Sequence, residues 1–153
     1  MTARRLIAYL AAVCLLFAAG VVWHRNKDPL ARTLAGVTAP SEVDMASTYR
    51  VDATDFALQC GYQSDQEAAD ALEIPKEKAQ DLTWIDSREV LYFRGNDSSS
   101  VKVITLPENV RLCLGIPEHL TWMPLTSICF TPYSDYQPGQ KLWHGTLCRP
   151  SAS

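Results

Sequence analysis

The stretch that decides the fold is Val90–Thr105, VLYFRGNDSSSVKVIT. Its two ends, Val90–Arg94 and Val101–Thr105, are rich in β-branched and aromatic residues, and a polar loop that begins at Gly95 separates them. This pattern predicts a β-hairpin. An isolated hairpin is at best marginally stable in water, so further strands or helices have to pack against it.

Three more strands are predicted after the hairpin, over Val110–Leu114, Thr126–Thr131 and Lys141–Cys148. Helices are predicted before it. Ser64 and Glu67 have the spacing of a capping box and open a helix that runs to about Glu73. A second helix is expected from Pro75 to about Leu82, and a short one over about 55–60.

Helices followed by strands indicate the α+β class, with short N-terminal helices packed on a small antiparallel sheet. One transmembrane helix is expected to precede this domain. We place that helix in residues 1–23, a tether in 24–47 and the folded domain in 48–153, because residues 24–47 contain prolines, a glycine and few large apolar side chains.

The predicted membrane segment is Leu6–Trp23, LIAYLAAVCLLFAAGVVW, which is 18 residues long and carries no charge. A helix of this length spans roughly 27 Å, enough for the core of a bilayer. The favoured interpretation is a single-pass anchor in a bacterial inner membrane. The alternative is a signal peptide cut after Ala18-Ala19-Gly20, which would release a secreted protein.

Four cysteines lie after this segment: Cys60, Cys113, Cys129 and Cys148. An even number of cysteines in a small exported domain predicts two disulfides and an oxidising compartment, here the periplasm. Three pairings are open, and Cys60–Cys113 with Cys129–Cys148 is favoured. The alternative is four reduced cysteines in a cytosolic domain.

Negative charge is concentrated in residues 52–89, which we call the acidic segment. It carries ten acidic against three basic residues, a net charge of −7, whereas residues 90–153 carry four against five, a net of +1. Such a charge would attract a basic protein partner, but a solvated helix face gives the same pattern and is the favoured interpretation. The candidate partner-binding acids are Glu67, Asp70 and Glu77.

A short part of the acidic segment, Ala68–Leu82 (AADALEIPKEKAQDL), resembles a helix-turn-helix. It departs from that motif at Glu73, where the turn usually has glycine. Its negative charge is also the wrong sign for contacts with phosphates, so we expect no nucleic-acid binding.

Aromatic residues concentrate near the C-terminus, at Trp122, Tyr133, Tyr136 and Trp143. Aromatic side chains often anchor interfaces because they bury a large area at low entropic cost. For the two tryptophans a position in the core is the favoured interpretation. Tyr133 and Tyr136 lie in a proline- and glycine-containing loop, so they are the aromatic candidates for partner binding.

The sequence offers little for catalysis or metal binding. His144 and Cys148 lie on one predicted strand about 13 Å apart, too far for a nucleophile and its base. The histidines are isolated from one another, so no metal or cofactor is expected. No pair of carboxylates stands out, which makes a periplasmic hydrolase the least favoured function.

The function we expect is a membrane-anchored periplasmic domain that binds a protein and is not an enzyme. In its most concrete form it is an inhibitor or immunity-type protein that neutralises a basic envelope enzyme or toxin. The alternative is a structural accessory subunit of an envelope secretion or division complex, in which the helix itself makes contacts in the membrane.

Overall fold

The computed structural model describes residues 13–14, 28–97, 100–133 and 141–148. The chain divides into two compact units, Met1–Gly36 and Val37–Ser153. In the first unit, helix α1 (Pro29–Ala35) begins after Asp28, whose carboxylate accepts hydrogen bonds from the backbone N–H groups of Leu30 and Ala31. Asp28 therefore caps the helix, and Pro29 suits its first turn.

The predicted membrane segment lies outside the described residues, except for Val13 and Cys14, which are helical. No helix in the described ranges is long and apolar enough to cross a membrane. The anchor and the signal peptide therefore both stay predictions.

The second unit contains two four-stranded sheets. The first has the order β4-β3-β2-β6, and all of its neighbouring strands are antiparallel. Its central strand β3 is buried along four successive residues, as expected for an apolar run covered on both faces. The strands are β2 (Asp55–Gln59), β3 (Val90–Arg94), β4 (Val101–Thr105) and β6 (Met123–Pro124).

The second sheet has the order β1-β7-β8-β5. Strands β1, β7 and β8 pair antiparallel, and β5 pairs parallel with β8. Trp143 of β8 is buried, opposite Val110 of β5. The strands are β1 (Ser41–Val43), β5 (Val110–Arg111), β7 (Ile128–Tyr133) and β8 (Leu142–Leu147).

The helices of the second unit are short. Helix α2 (Met45–Tyr49) is capped by Asp44, and α3 (Asp65–Leu72) begins with a complete capping box between Ser64 and Glu67. A single 3₁₀ turn, Lys76–Lys78, follows α3. The buried face of α3 is narrow, so its stability depends on packing rather than on helix propensity.

The α+β class, the hairpin of β3 with β4 and the capping box are confirmed. The prediction of one small antiparallel sheet is wrong. The strands divide into two sheets, and β5 lies parallel to β8. Sequence patterns give the type of an element more directly than its neighbours, because pairing depends on contacts distant in the chain.

The helix predicted over about 55–60 is also wrong, because these residues form β2. Phe56, Ala57 and Leu58 are all buried, and β2 pairs along its length with β3. A short apolar run has no periodicity that separates strand from helix, so tertiary pairing decides its structure.

The helix predicted from Pro75 to Leu82 is reduced to the 3₁₀ turn. Its apolar face was thin, and the chain after Lys78 bonds instead to β3 of the first sheet and to the loop after β2. The backbone N–H of Gln80 donates to the Tyr92 hydroxyl at 3.0 Å, and the Leu82 N–H donates to the Gln63 carbonyl at 3.0 Å. These contacts replace the hydrogen bonds of a helix.

The folded unit that contains both sheets begins at Val37, before the expected start at Thr48. Within the predicted tether, residues 41–43 form β1 and pair with β7, where Val43 lies opposite Ile128. This edge strand is only three residues long, which is too short to show a periodicity in the sequence.

Two disulfides, Cys60–Cys113 and Cys129–Cys148, confirm the favoured pairing. They indicate an oxidising, extracytoplasmic environment. Cys60 directly follows β2 of the first sheet, and Cys113 lies two residues after β5 of the second. We call this covalent link between the sheets, together with the side chain of Glu89 described below, the sheet junction.

Removal of the two disulfides is predicted to have unequal effects. The linked cysteines are 53 residues apart in one bridge and 19 in the other. Loop-closure entropy predicts a loss of about 4 kcal/mol for Cys60→Ser/Cys113→Ser and about 3 kcal/mol for Cys129→Ser/Cys148→Ser. Urea unfolding of the two double variants measures both losses, and a smaller loss for the Cys60–Cys113 variant would contradict this order.

Candidate protein-interaction surface

Three large apolar side chains of the second unit stand out by their exposure. Trp84 is 90% exposed, Leu114 is 79% and Tyr62 is 67%. Single exposed apolar residues are common on proteins. These three are of interest together because bonds described below join the chain segments that carry them. We call Tyr62, Trp84 and Leu114 the apolar patch.

The segments of Tyr62 and Trp84 are joined through the backbone. The N–H groups of Tyr62 and Ile85 both donate to the carbonyl of Leu82, each at 2.9 Å. Gly61 permits this approach, since a Cβ atom there would lie only 2.6 Å from the carbonyl oxygens of Ile85 and Asp86. Any larger residue would push the two segments apart.

The segment of Leu114 is joined to the same place by the Cys60–Cys113 disulfide. Cys60 lies two residues before Tyr62, and Cys113 directly precedes Leu114, with 5.9 Å between the two Cα atoms. The three residues of the apolar patch therefore lie on segments fixed to one another by one covalent bond and several backbone contacts.

Tyr62 has a left-handed backbone conformation, with φ of 68°. This conformation is costly for a bulky residue, and it persists only where the surroundings determine it. The neighbouring Cys60 N–H donates to the Gln63 side chain at 2.7 Å, which closes a tight turn around Tyr62. A strained backbone conformation at an exposed residue is a feature that occurs at functional sites.

A buried network of polar side chains bonds to the backbone of this turn. The Tyr92 hydroxyl donates to Gln59 Oε1 at 2.5 Å, and Gln59 Nε2 donates to the carbonyls of Gln80 at 2.7 Å and Gln63 at 3.2 Å. Tyr92 and Gln59 are fully buried on adjacent strands. A fully paired network of this kind rigidifies the loops it contacts.

Glu89 forms the second part of the sheet junction. Its buried carboxylate accepts hydrogen bonds from the backbone N–H groups of Leu112 at 2.6 Å and Cys113 at 3.1 Å. Burial raises the pKa of Glu89, against the opposing effects of these two bonds and of the charges on Arg111 and His119. The predicted strand Val110–Leu114 ends early because these N–H groups bond to Glu89.

His119 lies beside the same disulfide, with Nε2 at 3.2 Å from the Cys113 carbonyl oxygen. The ligand atoms of Cys60, Cys113 and His119 are within 4.8 Å of one another. A cysteine binds zinc through its thiolate sulfur. Because both sulfurs are joined in the disulfide, this cluster is not a metal site in the oxidised protein.

The structure places the predicted acids Glu67, Asp70 and Glu77 on the surface. Glu67 accepts hydrogen bonds from the N–H and hydroxyl of Ser64, which lower its pKa, so part of its role is to cap α3. Asp70 accepts a hydrogen bond from the Gln66 side chain, and Glu77 lies on the 3₁₀ turn. All three carboxylates remain accessible to a partner.

The aromatic residues singled out from the sequence differ in how far their side chains are buried. Tyr133, at the end of β7, is 52% exposed, whereas Tyr136 lies outside the described residues. Trp143 is part of the core. Trp122 is half-buried, and its Nε1–H donates to the Leu72 carbonyl. The Arg94 guanidinium lies 4.2 Å from the centre of the Trp122 ring.

The nucleophile and base considered from the sequence are not brought together. Cys148 is held in its disulfide with Cys129, so it offers no thiolate. His144 Nε2 is buried and makes no hydrogen bond to any described residue. This nitrogen lies in β8, and nothing described beside it completes a catalytic group.

The exposure and proximity of the residues in the apolar patch were not predicted from the sequence. Trp84 lies in a polar stretch, LTWIDSRE (residues 82–89), where a lone tryptophan among charged residues was the available signal. Tyr62 and Leu114 flank two cysteines, so their proximity follows from the disulfide pairing, but their exposure does not. Comparisons with protein-family models, curated proteins and solved structures found no match for this chain.

The buried Glu89 predicts a specific pH dependence of stability. Because its pKa in the folded protein is raised above the ordinary value of 4.5, folding favours the protonated form. The stability it contributes is therefore complete below pH 4.5 and is lost as the pH rises through the raised pKa. Within that window the free energy of unfolding should fall as the pH rises, with a slope from this group of at most about 1.4 kcal/mol per pH unit.

Urea unfolding of Glu89→Gln across this pH range measures the effect as a difference from the unsubstituted protein. The amide keeps an acceptor for the two backbone N–H groups but has no proton to lose, so the variant should gain relative stability with rising pH. Glu108→Gln, at an exposed glutamate, is the matched control for the change from carboxylate to amide. A flat or opposite slope for Glu89→Gln would refute the assignment.

Proposed function

We propose that this chain is an extracytoplasmic protein-binding domain of the inhibitor or immunity type, which neutralises a basic enzyme or toxin of the bacterial envelope. The observation that carries the proposal is the exposure of Trp84 within a segment whose net charge is −7. An exposed tryptophan on a segment of net negative charge can combine an aromatic anchor with electrostatic selection of a partner.

The anchor and the charge have separate roles in this proposal. A tryptophan that leaves water on binding contributes affinity, because aromatic residues dominate interface energies. The carboxylates of the acidic segment accelerate association with a basic surface and disfavour acidic competitors. The two disulfides and the buried Gln59–Tyr92 pair keep the surface rigid, which lowers the entropic cost of binding.

The predicted segment Leu6–Trp23 completes the proposal by holding the domain at the periplasmic face of the inner membrane. A tethered inhibitor stays where an envelope toxin or enzyme has to pass. An inhibitor acts by binding its target, so this function requires no catalytic group. Tyr133 and Tyr136 stay candidates for a second contact with the partner.

The proposal is tested by recovery of partners from envelope extract with the purified, oxidised full chain in detergent. We expect a basic protein that binds at low ionic strength and is released at high ionic strength, because exposed charge pairs are screened by salt. The recovered enzyme or toxin should lose activity when the chain is added. Recovery of no basic protein, or of one whose activity is unaffected, would contradict the inhibitor function.

Charge reversal is predicted to weaken binding of that partner. Asp70→Lys/Glu77→Lys removes two accessible carboxylates but leaves Glu67, and therefore the helix cap, intact. If each exposed pair contributes about 0.7 kcal/mol, the loss is about tenfold in affinity, with a flatter salt dependence. Isothermal titration calorimetry measures both.

The matched control is Glu42→Lys/Glu108→Lys. It makes the same change in net charge at two exposed glutamates outside the acidic segment. An equal loss in both double variants would show a response to net charge alone, and unchanged affinity of Asp70→Lys/Glu77→Lys would remove these acids from the interface.

A further inference from the structure

We infer that the apolar patch is the anchor point for one kind of occupant: a protein segment with a large apolar side chain flanked by Lys or Arg. This inference rests on the proposed function and specifies where, and by what chemistry, the partner is recognised. Its basis is the exposure of Tyr62, Trp84 and Leu114, the charge around them and the way their segments are fixed.

The apolar character of the occupant follows from the side chains of the patch. Among the described residues of the second unit, Trp84, Leu114 and Tyr62 are the three most exposed large apolar side chains. Their segments are tied together at the disulfide and at Gly61. Apolar groups of a partner that cover these side chains remove their apolar surface from water, which is the main favourable term in association.

The basic character of the occupant follows from the acids beside the patch. Asp81 accepts hydrogen bonds from both the N–H and the hydroxyl of Thr83, the residue before Trp84, and these bonds lower its pKa. Its carboxylate is therefore ionised and fixed in place. Asp86, two residues after Trp84, and Glu118, four residues after Leu114, are exposed as well. The bases nearest to the patch in sequence are Arg88, four residues after Trp84, and the half-buried Arg111, three residues before Leu114.

The same charges disfavour other occupants. A second copy of this chain would bring two acidic segments of net charge −7 together. Anionic lipid and nucleic acid would be repelled in the same way. A basic protein segment is the occupant whose charge complements the patch, and it can donate charge-assisted hydrogen bonds to fixed carboxylates.

The patch is also prepared for binding before a partner arrives. The disulfide, the strained backbone of Tyr62 and the fixed Asp81 carboxylate restrict the loops that carry it. Little additional ordering is then required on association, so a short segment can bind with useful affinity.

The test uses a random peptide library displayed on phage, selected in parallel on the oxidised full chain and on Tyr62→Ala/Trp84→Ala. We expect the unsubstituted chain to enrich peptides of net positive charge that contain a large apolar residue. An enriched peptide, made synthetically and labelled, should bind about 30-fold more weakly to Trp84→Ala, the loss typical of a hot-spot aromatic residue. Fluorescence anisotropy at two ionic strengths measures this loss and its salt dependence.

Leu147→Ala is the matched control, since it removes an exposed apolar side chain from β8, outside the patch. It should leave peptide affinity unchanged, and circular dichroism checks that every variant is folded. Enrichment of neutral or acidic peptides, or equal affinity for Trp84→Ala, would overturn the inference. Sedimentation that shows a dimer of the unsubstituted chain and a monomer of Trp84→Ala would overturn it too, by assigning the patch to a second copy.

The outcomes separate this inference from the proposed function. If a basic envelope protein binds Trp84→Ala and the unsubstituted chain with equal affinity, the proposed function is supported and the role of Trp84 as an anchor is refuted. Basic peptides that require Trp84, without any envelope protein recovered by the full chain, would support the anchor and refute the inhibitor function.

Discussion

The link between the two sheets is the constraint on which the rest of the structure depends. The Cys60–Cys113 disulfide joins the end of β2 to the segment after β5, and the Glu89 carboxylate bonds to backbone N–H groups of that same segment. One bond is covalent and lowers the entropy of the unfolded chain. The other is a buried carboxylate whose charge costs free energy, partly offset by its two hydrogen bonds. Together they fix the chain between the sheets.

This constraint explains how a small domain can hold large apolar side chains in water without collapsing around them. Trp84 and Leu114 lie on loops, yet those loops are held by the disulfide, by the close approach at Gly61 and by the buried Gln59–Tyr92 pair. These contacts restrict the loops that carry the exposed side chains, and Asp81, whose pKa is lowered by its bonds to Thr83, lies three residues before Trp84.

Local features of the chain were predictable from sequence, whereas features that depend on distant contacts were not. The hairpin of β3 and β4 and the capping box at Ser64 depend on residues close in sequence, and both were correct. The strand at Phe56 was mistaken for a helix because only its pairing with β3 decides its form. In the sequence, Glu89 is one of the ten acids of the acidic segment, and nothing there distinguishes it as buried. The exposure of Trp84 depends on the folded structure, so the sequence does not show it either.

The most direct test of the account is photo-cross-linking from position 84 in the cells that make this protein. An aromatic photo-reactive residue in place of Trp84 keeps the size of the side chain, and the same residue in place of Leu147 gives the background. The account predicts one main adduct from position 84, with a basic envelope protein, and none from position 147. No adduct from position 84, or an adduct with an acidic protein or with a second copy of the chain, would contradict it.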